Sequence, residues 1–247
     1  MNDHEIAGLL ARETGEILVD LRERVLAEGG SGYQLRYLGD QTAHRHLTDR
    51  LAELRAGDAV LSEEGDDDRL RLNAERVWIV DPLDGTQDYG RQGSVEWAVH
   101  VALVVAGQPV AAAVALPALG TLYGTLQDRV NGAVSGNDRP VVITSRSQWG
   151  EAEEVAAAIG GVVRNVGSAG VKAMAVVAGS ADVYVHPSGL YEWDACAPAA
   201  VAVAAGLDVS GVDGSDLVFN KPRPVVPGLL ISRPEYTSAA RRALRWQ

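Results

Sequence analysis

Trp78-Ile79-Val80-Asp81-Pro82-Leu83-Asp84-Gly85-Thr86 is the stretch on which the fold turns. An apolar run ends in two acids three residues apart, followed by Gly-Thr. Trp78 to Val80 reads as a buried strand, because β-branched and aromatic residues suit a pleat packed on both faces. Pro82 lacks an N–H and fixes φ, so the strand is expected to stop there. Asp84-Gly85-Thr86 can open a helical turn whose first N–H groups point outward. Such a strand end puts Asp81 and Asp84 in one pocket beside an anion cradle. Two carboxylates this close repel unless a cation sits between them. Mg²⁺ suits the place, since it takes hard oxygen ligands and binds phosphate at the same time. The D-x-x-D spacing alone is equally compatible with an acidic surface turn, because Asp, Pro and Gly are ordinary turn residues.

Composition narrows the class. The 247 residues are 47% hydrophobic and 22% charged, which is ordinary for a globular protein able to bury a sizeable core. No apolar stretch is clean enough to span a membrane, and the first residues do not resemble a signal peptide. A single cysteine, Cys196, excludes an internal disulfide and suits a reducing cytoplasm. A net charge of −11 argues against a nucleic-acid polymer as partner. It leaves room for a small anionic substrate, because bound metal reverses the sign locally. The expectation is a cytoplasmic enzyme.

Outward from the motif, Ile6, Leu10, Ile17, Leu21 and Val25 form the stripe of an amphipathic helix. Gly29 to Gly32 reads as a flexible connection rather than a phosphate loop, since no Lys-Ser/Thr follows. A second helix through Leu47, Leu51 and Leu54 is expected to start at Asp40 as its N-cap. His44 and His46 lack ligand spacing and read as helix-surface residues. Val60 to Ser62 is a short strand leading to Glu63-Glu64, and Asp66 to Asp68 reads as a solvated charge run. Val95 to Val105, a turn at Gly107-Gln108-Pro109, and Val110 to Leu116 are expected to pair. Short strands at Leu122–Leu126 and Gly132–Val134 would complete a largely antiparallel sheet.

Gly136 to Pro140 is the candidate boundary, dividing residues 1–135 from 136–247. Beyond it, Val141–Thr144, Glu151–Ile159 and Val162–Val166 alternate as α/β units do. Ser168 is a plausible N-cap after Gly167, and the glycines let a ligand approach the backbone. Asp182 to His186 is the next strand, and Ala195 to Ala205 a helix in whose first turn Pro198 is tolerated. Cys196 reads as a small buried residue, with no His placed to activate it. Gly228–Ser232 and Pro234–Leu244 read as a strand and a closing helix.

Three motifs occur in order: Glu63-Glu64, Asp81-Pro82-Leu83-Asp84-Gly85-Thr86 and Trp193-Asp194. The set resembles the inositol monophosphatase superfamily of Mg²⁺-dependent, lithium-sensitive phosphatases, over essentially the whole chain. The resemblance implies a layered αβαβα sandwich, with an antiparallel sheet in the first half and a mixed sheet in the second. It implies two or three Mg²⁺ ions on Glu63, Asp81, the Leu83 carbonyl, Asp84 and Asp194, and inhibition by Li⁺. Asp40, Glu63 and Thr86 would position the attacking water. Gly85, Thr86, Gly167, Ser168, Ala169 and Asp194 would line the substrate site. Lys172, one turn into the next helix, would face a substrate phosphate; a surface lysine would look the same in sequence.

Leu38-Gly39-Asp40-Gln41, Gly167 to Met174 and Glu192-Trp193-Asp194 resemble the actinobacterial CysQ-type branch. That branch acts on 3'-phosphoadenosine-5'-phosphate in sulfur metabolism. His186 stands where inositol-directed members carry a Glu, which disfavours inositol-1-phosphate; that compound and fructose-1,6-bisphosphate remain the alternatives. A metal- or nucleotide-binding regulator is the reading without catalysis. The family resemblance also allows a homodimer.

Overall fold

The computed structural model describes residues 1–126 and 138–244. The strand expected at Gly132–Val134 and the first residues of the expected boundary lie outside them.

The first helix, α1 (Asp3–Ala27), begins from a capping box in which Asn2 and Glu5 satisfy each other's main-chain N–H. Ile6, Leu10, Leu18, Leu21 and Val25 are buried along one face, Leu18 taking the place expected for Ile17. Gly29 and Gly30 donate back to the carbonyls of Leu26 and Val25. The connection is therefore a hydrogen-bonded turn of the kind that ends helices, not a flexible link. Ser31 caps α2 (Gly32–Leu54), accepting from the Gln34 N–H. Asp40 thus lies inside this helix and is not its N-cap.

The helix runs unbroken through Gly39 because that glycine is a point of close approach. A Cβ there would lie 2.7 Å from Tyr89 and 2.8 Å from Leu83. Bare backbone is what lets α2 press against the acidic motif.

The first sheet contains β1 (Ala59–Ser62), β2 (Arg76–Asp84), β3 (Ala98–Val105), β4 (Gln108–Leu116) and β5 (Thr121–Gly124), in that spatial order. β1 pairs parallel with β2, and all other neighbours are antiparallel. β2 does not stop at Pro82. Its register against β3 shifts between Asp81, opposite His100, and Asp84, opposite Ala98. Pro82 lies in that irregularity, where a missing N–H removes no ladder bond. The β3–β4 turn is Ala106-Gly107, with φ of 50° and 76°, one position earlier than expected. Positive φ at both residues is the geometry that matches the right-handed twist of a hairpin. Val95 is exposed and precedes β3. The single turn α3 (Thr86–Tyr89) follows β2 directly.

The second sheet is mixed. Its elements are β6 (Val141–Thr144), α4 (Gly150–Ile159), β7 (Val162–Asn165), α5 (Ala169–Val177) and β8 (Val183–His186). The chain continues through β9 (Leu190–Tyr191), α6 (Glu192–Ala204), β10 (Asp208–Ser210), β11 (Val225–Val226), β12 (Leu229–Ser232) and α7 (Pro234–Leu244). The spatial order is β10-β12-β8-β6-β7, while β9 and β11 form a separate small pair.

Alternation along the strands sorts the core into three sheets of side chains. Trp78, Val80, Val101 and Leu103 pack with α1 and α2. Val77, Ile79, Ala102 and Val104 face α5 and α6, which also receive Ile143, Tyr184 and Ile231 from the second sheet. Val142, Val183, Val185 and Leu230 pack against α4 and α7 on the far side. Period-2 strands buried on both faces thus generate helix, sheet, helix, sheet, helix. The acids of the motif sit where β2 leaves the first sheet and meets the N-termini of α5 and α6.

Asp66 to Asp68 are exposed as expected, and Asp67 in addition holds Arg71, at 2.6 and 3.0 Å, which is 1% exposed. Arg71 also donates to Asn220 and to the Lys221 carbonyl, tying this loop to the far half. Helix α6 begins at Glu192, so Pro198 falls beyond its first turn. The proline has no N–H to give the Asp194 carbonyl four residues back.

Candidate metal centre and phosphate site

Asp81 is fully buried and its neighbours are acids. Oδ1 accepts the Leu83 N–H at 3.0 Å, while Oδ2 is buried with no donor among the described residues. Burial, and then the charges of Glu63, Asp84 and Asp194, push this carboxyl well above the usual range. Asp84 is buried as well but richly supplied. Ser168 Oγ donates to it, as do the N–H groups of Ala169 (3.1 Å) and Gly170 (2.7 Å). His100 Nε2 stands 3.2 Å away. Burial pushes Asp84 up, but His100, Lys172 and the Ser168 hydroxyl more than offset it and hold it below the carboxylate norm.

Asp194 completes a triangle, since one oxygen from each of Asp81, Asp84 and Asp194 lies within 4.8 Å of the others. Its carboxyl is pushed up to about 7 by burial and by the charges of Asp84 and Glu63. Glu63 is an exposed residue whose carboxyl end faces this cluster. Partial desolvation comes first among the causes that raise it, followed by Glu64 and Asp84. An orphaned buried carboxylate oxygen beside two more acids is a donor set built for a hard cation.

Gly85 adopts φ of 85° and starts α3. A Cβ there would meet the Glu96 carbonyl at 2.6 Å, so the turn needs glycine on both counts. Thr86 Oγ1 lies 2.9 Å from the Leu83 carbonyl and 3.3 Å from Asp40 Oδ1. Its one proton can satisfy only one of these acceptors. Asp40 is pushed up to about 7, by burial first and by Glu64 second. Asp40, Thr86 and Leu83 are therefore brought together although Asp40 is no cap.

The opposite wall is the loop before α5. Ser168 is the N-cap, its Oγ accepting the Val171 N–H at 3.0 Å while donating to Asp84. Gly167 donates its N–H to Glu96 at 2.8 Å. A Cβ on Gly167 would stand 2.1 Å from Asp88 Oδ2.

The inositol monophosphatase family profile matches residues 4–245. The chain belongs to the inositol monophosphatase family. Among curated relatives, the 3'-phosphoadenosine 5'-phosphate phosphatase of Mycobacterium leprae is 39% identical, across 100% of this chain and 96% of its own length. The protein of that name from Mycobacterium bovis is 41% identical over 90% of this chain and 86% of its own. The crystal structure of CysQ from Bacteroides thetaiotaomicron superposes with a TM-score of 0.72 at 26% identity, covering 92% of this chain and 96% of that one.

Inositol monophosphatase family members are metal-dependent, and among the described residues the acidic triangle is a cluster that could bind metal. Two residues near that triangle carried no legible sign in the sequence. His100 is a lone histidine in an apolar strand, yet it joins Asp84 to the Trp193 carbonyl, its Nδ1 at 3.1 Å. Gly170 permits this, since a Cβ would lie 2.2 Å from His100 Nε2. Arg146, in the β6–α4 loop, reaches across to Asp88 and Glu96. Lys172 was legible, but the structure turns it inward. It is 1% exposed, and its Nζ donates to the carbonyls of Val166, Gly167 and Ser168.

Proposed function

We propose that this protein is a Mg²⁺-dependent phosphatase that hydrolyses 3'-phosphoadenosine-5'-phosphate. Water adds to the 3'-phosphorus, the bond from phosphorus to the ribose 3'-oxygen breaks, and AMP and phosphate leave. The observation that carries the reading is the acidic triangle with its orphaned Asp81 oxygen, set beside Thr86 and Asp40. The substrate is taken from the mycobacterial relatives, which share about two residues in five across nearly the whole chain.

Glu63, Asp81, the Leu83 carbonyl, Asp84 and Asp194 would hold the cations. Once bound, Mg²⁺ would acidify a water and neutralise charge on the phosphoryl and leaving oxygens. The remaining steps belong to the chain. With the Leu83 carbonyl committed to a cation, the Thr86 proton goes to Asp40 Oδ1. The Thr86 oxygen can then accept from the attacking water and fix its direction. The N–H groups of Gly85 and Thr86 hold the phosphoryl oxygens. Asp84 keeps the Ser168–Gly170 loop in place through its three hydrogen bonds. Inhibition by Li⁺ and a place in the cytoplasm belong to the same proposal.

The test is phosphate release with Mg²⁺ from 3'-phosphoadenosine-5'-phosphate, inositol-1-phosphate and fructose-1,6-bisphosphate, side by side. The nucleotide should be turned over fastest, and a chelator should abolish release. Preference for either sugar phosphate would overturn the substrate. Metal-independent turnover, or none with any of the three, would overturn the mechanism.

A further inference from the structure

A cavity of about 460 Å³ opens beside the Gly85-Thr86 turn and extends to Arg146, Ser147 and Gly167. Arg146 is the only cation among the residues that line it. Its side chain is 47% exposed and makes a forked contact with Asp88, at 3.0 and 3.3 Å, plus an ion pair with Glu96. At first sight those two acids consume the charge. Each, however, has other donors. Asp88 also receives Arg91 at 2.9 Å and the Ser94 hydroxyl at 3.3 Å. Glu96 also receives the Gly167 N–H. The guanidinium can therefore turn into the cavity without leaving a carboxylate bare, which is the expensive outcome when an ion pair is broken.

We propose that Arg146 recognises the second, non-scissile phosphate of a ribonucleoside 3',5'-bisphosphate, and so sets the preference for bisphosphates over monophosphates. The inference rests on the phosphatase reading above and deepens it. One end of the cavity is the Gly85-Thr86 backbone assigned to the scissile phosphoryl group. A substrate seated there brings its second dianion along the same cavity, where a planar fork of N–H donors matches phosphate oxygens two at a time. Ser147 adds a hydroxyl at the same end. A monophosphate has nothing for this end to hold.

The deciding pair of substrates is 3'-phosphoadenosine-5'-phosphate and 3'-AMP, which differ only in the 5'-phosphate. In the wild type, kcat/KM should favour the bisphosphate. Arg146→Ala should cut that ratio by about 10- to 100-fold, the scale of a lost hydrogen-bonded charge. Turnover of 3'-AMP should stay within about threefold, and inhibition by 5'-AMP should weaken in parallel. Arg146→Lys keeps the charge without the fork and covers the case in which the alanine variant does not fold; its ratio should fall to an intermediate value. An equal loss with both substrates would make Arg146 a strap between loops and overturn the proposal, as would an unchanged ratio in the lysine variant. A wild type that prefers the bisphosphate while both variants keep its ratio refutes the arginine alone. A wild type inactive on both nucleotides refutes the phosphatase reading itself.

Discussion

The two walls of this cleft solve the same electrostatic problem in opposite ways. On the acidic wall, Glu63, Asp81 and Asp194 have too few donors, and all three are pushed towards protonation. On the loop wall, Asp88 and Glu96 share Arg146, Arg91, Ser94 and the Gly167 N–H. Asp84 stands between and leans on the second wall. A buried carboxylate without a partner is unstable unless something positive arrives from solution. The first wall therefore could take up cations from solution, whereas the second is already compensated.

The largest expected effect comes from Asp84→Asn, which joins the walls' failures. It removes an anion from the acidic triangle and offers an N–H₂ where Ser168, Ala169 and Gly170 all donate. Activity should fall by more than the roughly 10- to 100-fold that losing a ligand's outer partner produces. Steady-state phosphate release at saturating Mg²⁺ measures it. Wild-type turnover in this variant would remove Asp84 from the centre.

Metal should next separate the walls by stability. Mg²⁺ that binds the folded protein at 100 times its Kd stabilises it by about 2.7 kcal/mol. For a chain of this size that is an upward shift in Tm of roughly 5–10 °C. Asp81→Asn should lose most of the shift, and Arg146→Ala should retain it. Differential scanning fluorimetry with and without a chelator gives the answer. An equal shift in all three proteins would place the cation elsewhere.

How far these walls could be read in advance depended on where their information lies. Asp81 to Thr86 was legible because a strand end, two acids and Gly-Thr are consecutive, so local sequence carries the local chemistry. Asp40 was named through the family resemblance, while its expected place as an N-cap was wrong. Its helix starts at Ser31, and Gly39 looks like a breaker until Tyr89 and Leu83 are seen packed against it. The individual strands and helices were legible from apolar periodicity and the five-layer order came from the family resemblance, yet the course of β2 past Pro82 was in neither, because the irregularity that tolerates it belongs to the pairing with β3. His100 and Arg146 were invisible for one reason: each acts on residues far away in the chain, and nothing beside either in sequence marks it.

Gly167→Ala tests the compensated wall directly. The added Cβ would fall 2.1 Å from Asp88 Oδ2 and 3.3 Å from Glu96 Oε2. Asp88 is buried and held by Arg91 and Ser94 whatever Arg146 does, so the loop must shift. Overpacking of this kind costs typically about 1–3 kcal/mol, visible as a lower urea midpoint with an unchanged slope. A midpoint equal to wild type would show that Asp88 is free to move and that the wall is looser than its hydrogen bonds suggest.

Lys172→Met should have the smallest effect on turnover. Its ammonium is buried, and burial draws its pKa down to about 8, against attraction from Asp84, Asp194 and Glu96. Three carbonyls would lose a donor, but the variant no longer has to desolvate a charge, and methionine fills most of the same volume. Leaving buried acceptors without their donor costs about 1–3 kcal/mol, partly offset by the relieved desolvation, so stability should fall by no more than that. Turnover of the bisphosphate should fall less than in Arg146→Ala, because Lys172 faces the loop's own carbonyls while Arg146 lines the cavity. A loss exceeding that of Arg146→Ala, at unchanged stability, would reverse the ranking. Lys172 would then be the residue that turns outward to the phosphate, and the loop wall would be less self-sufficient than its resting contacts make it.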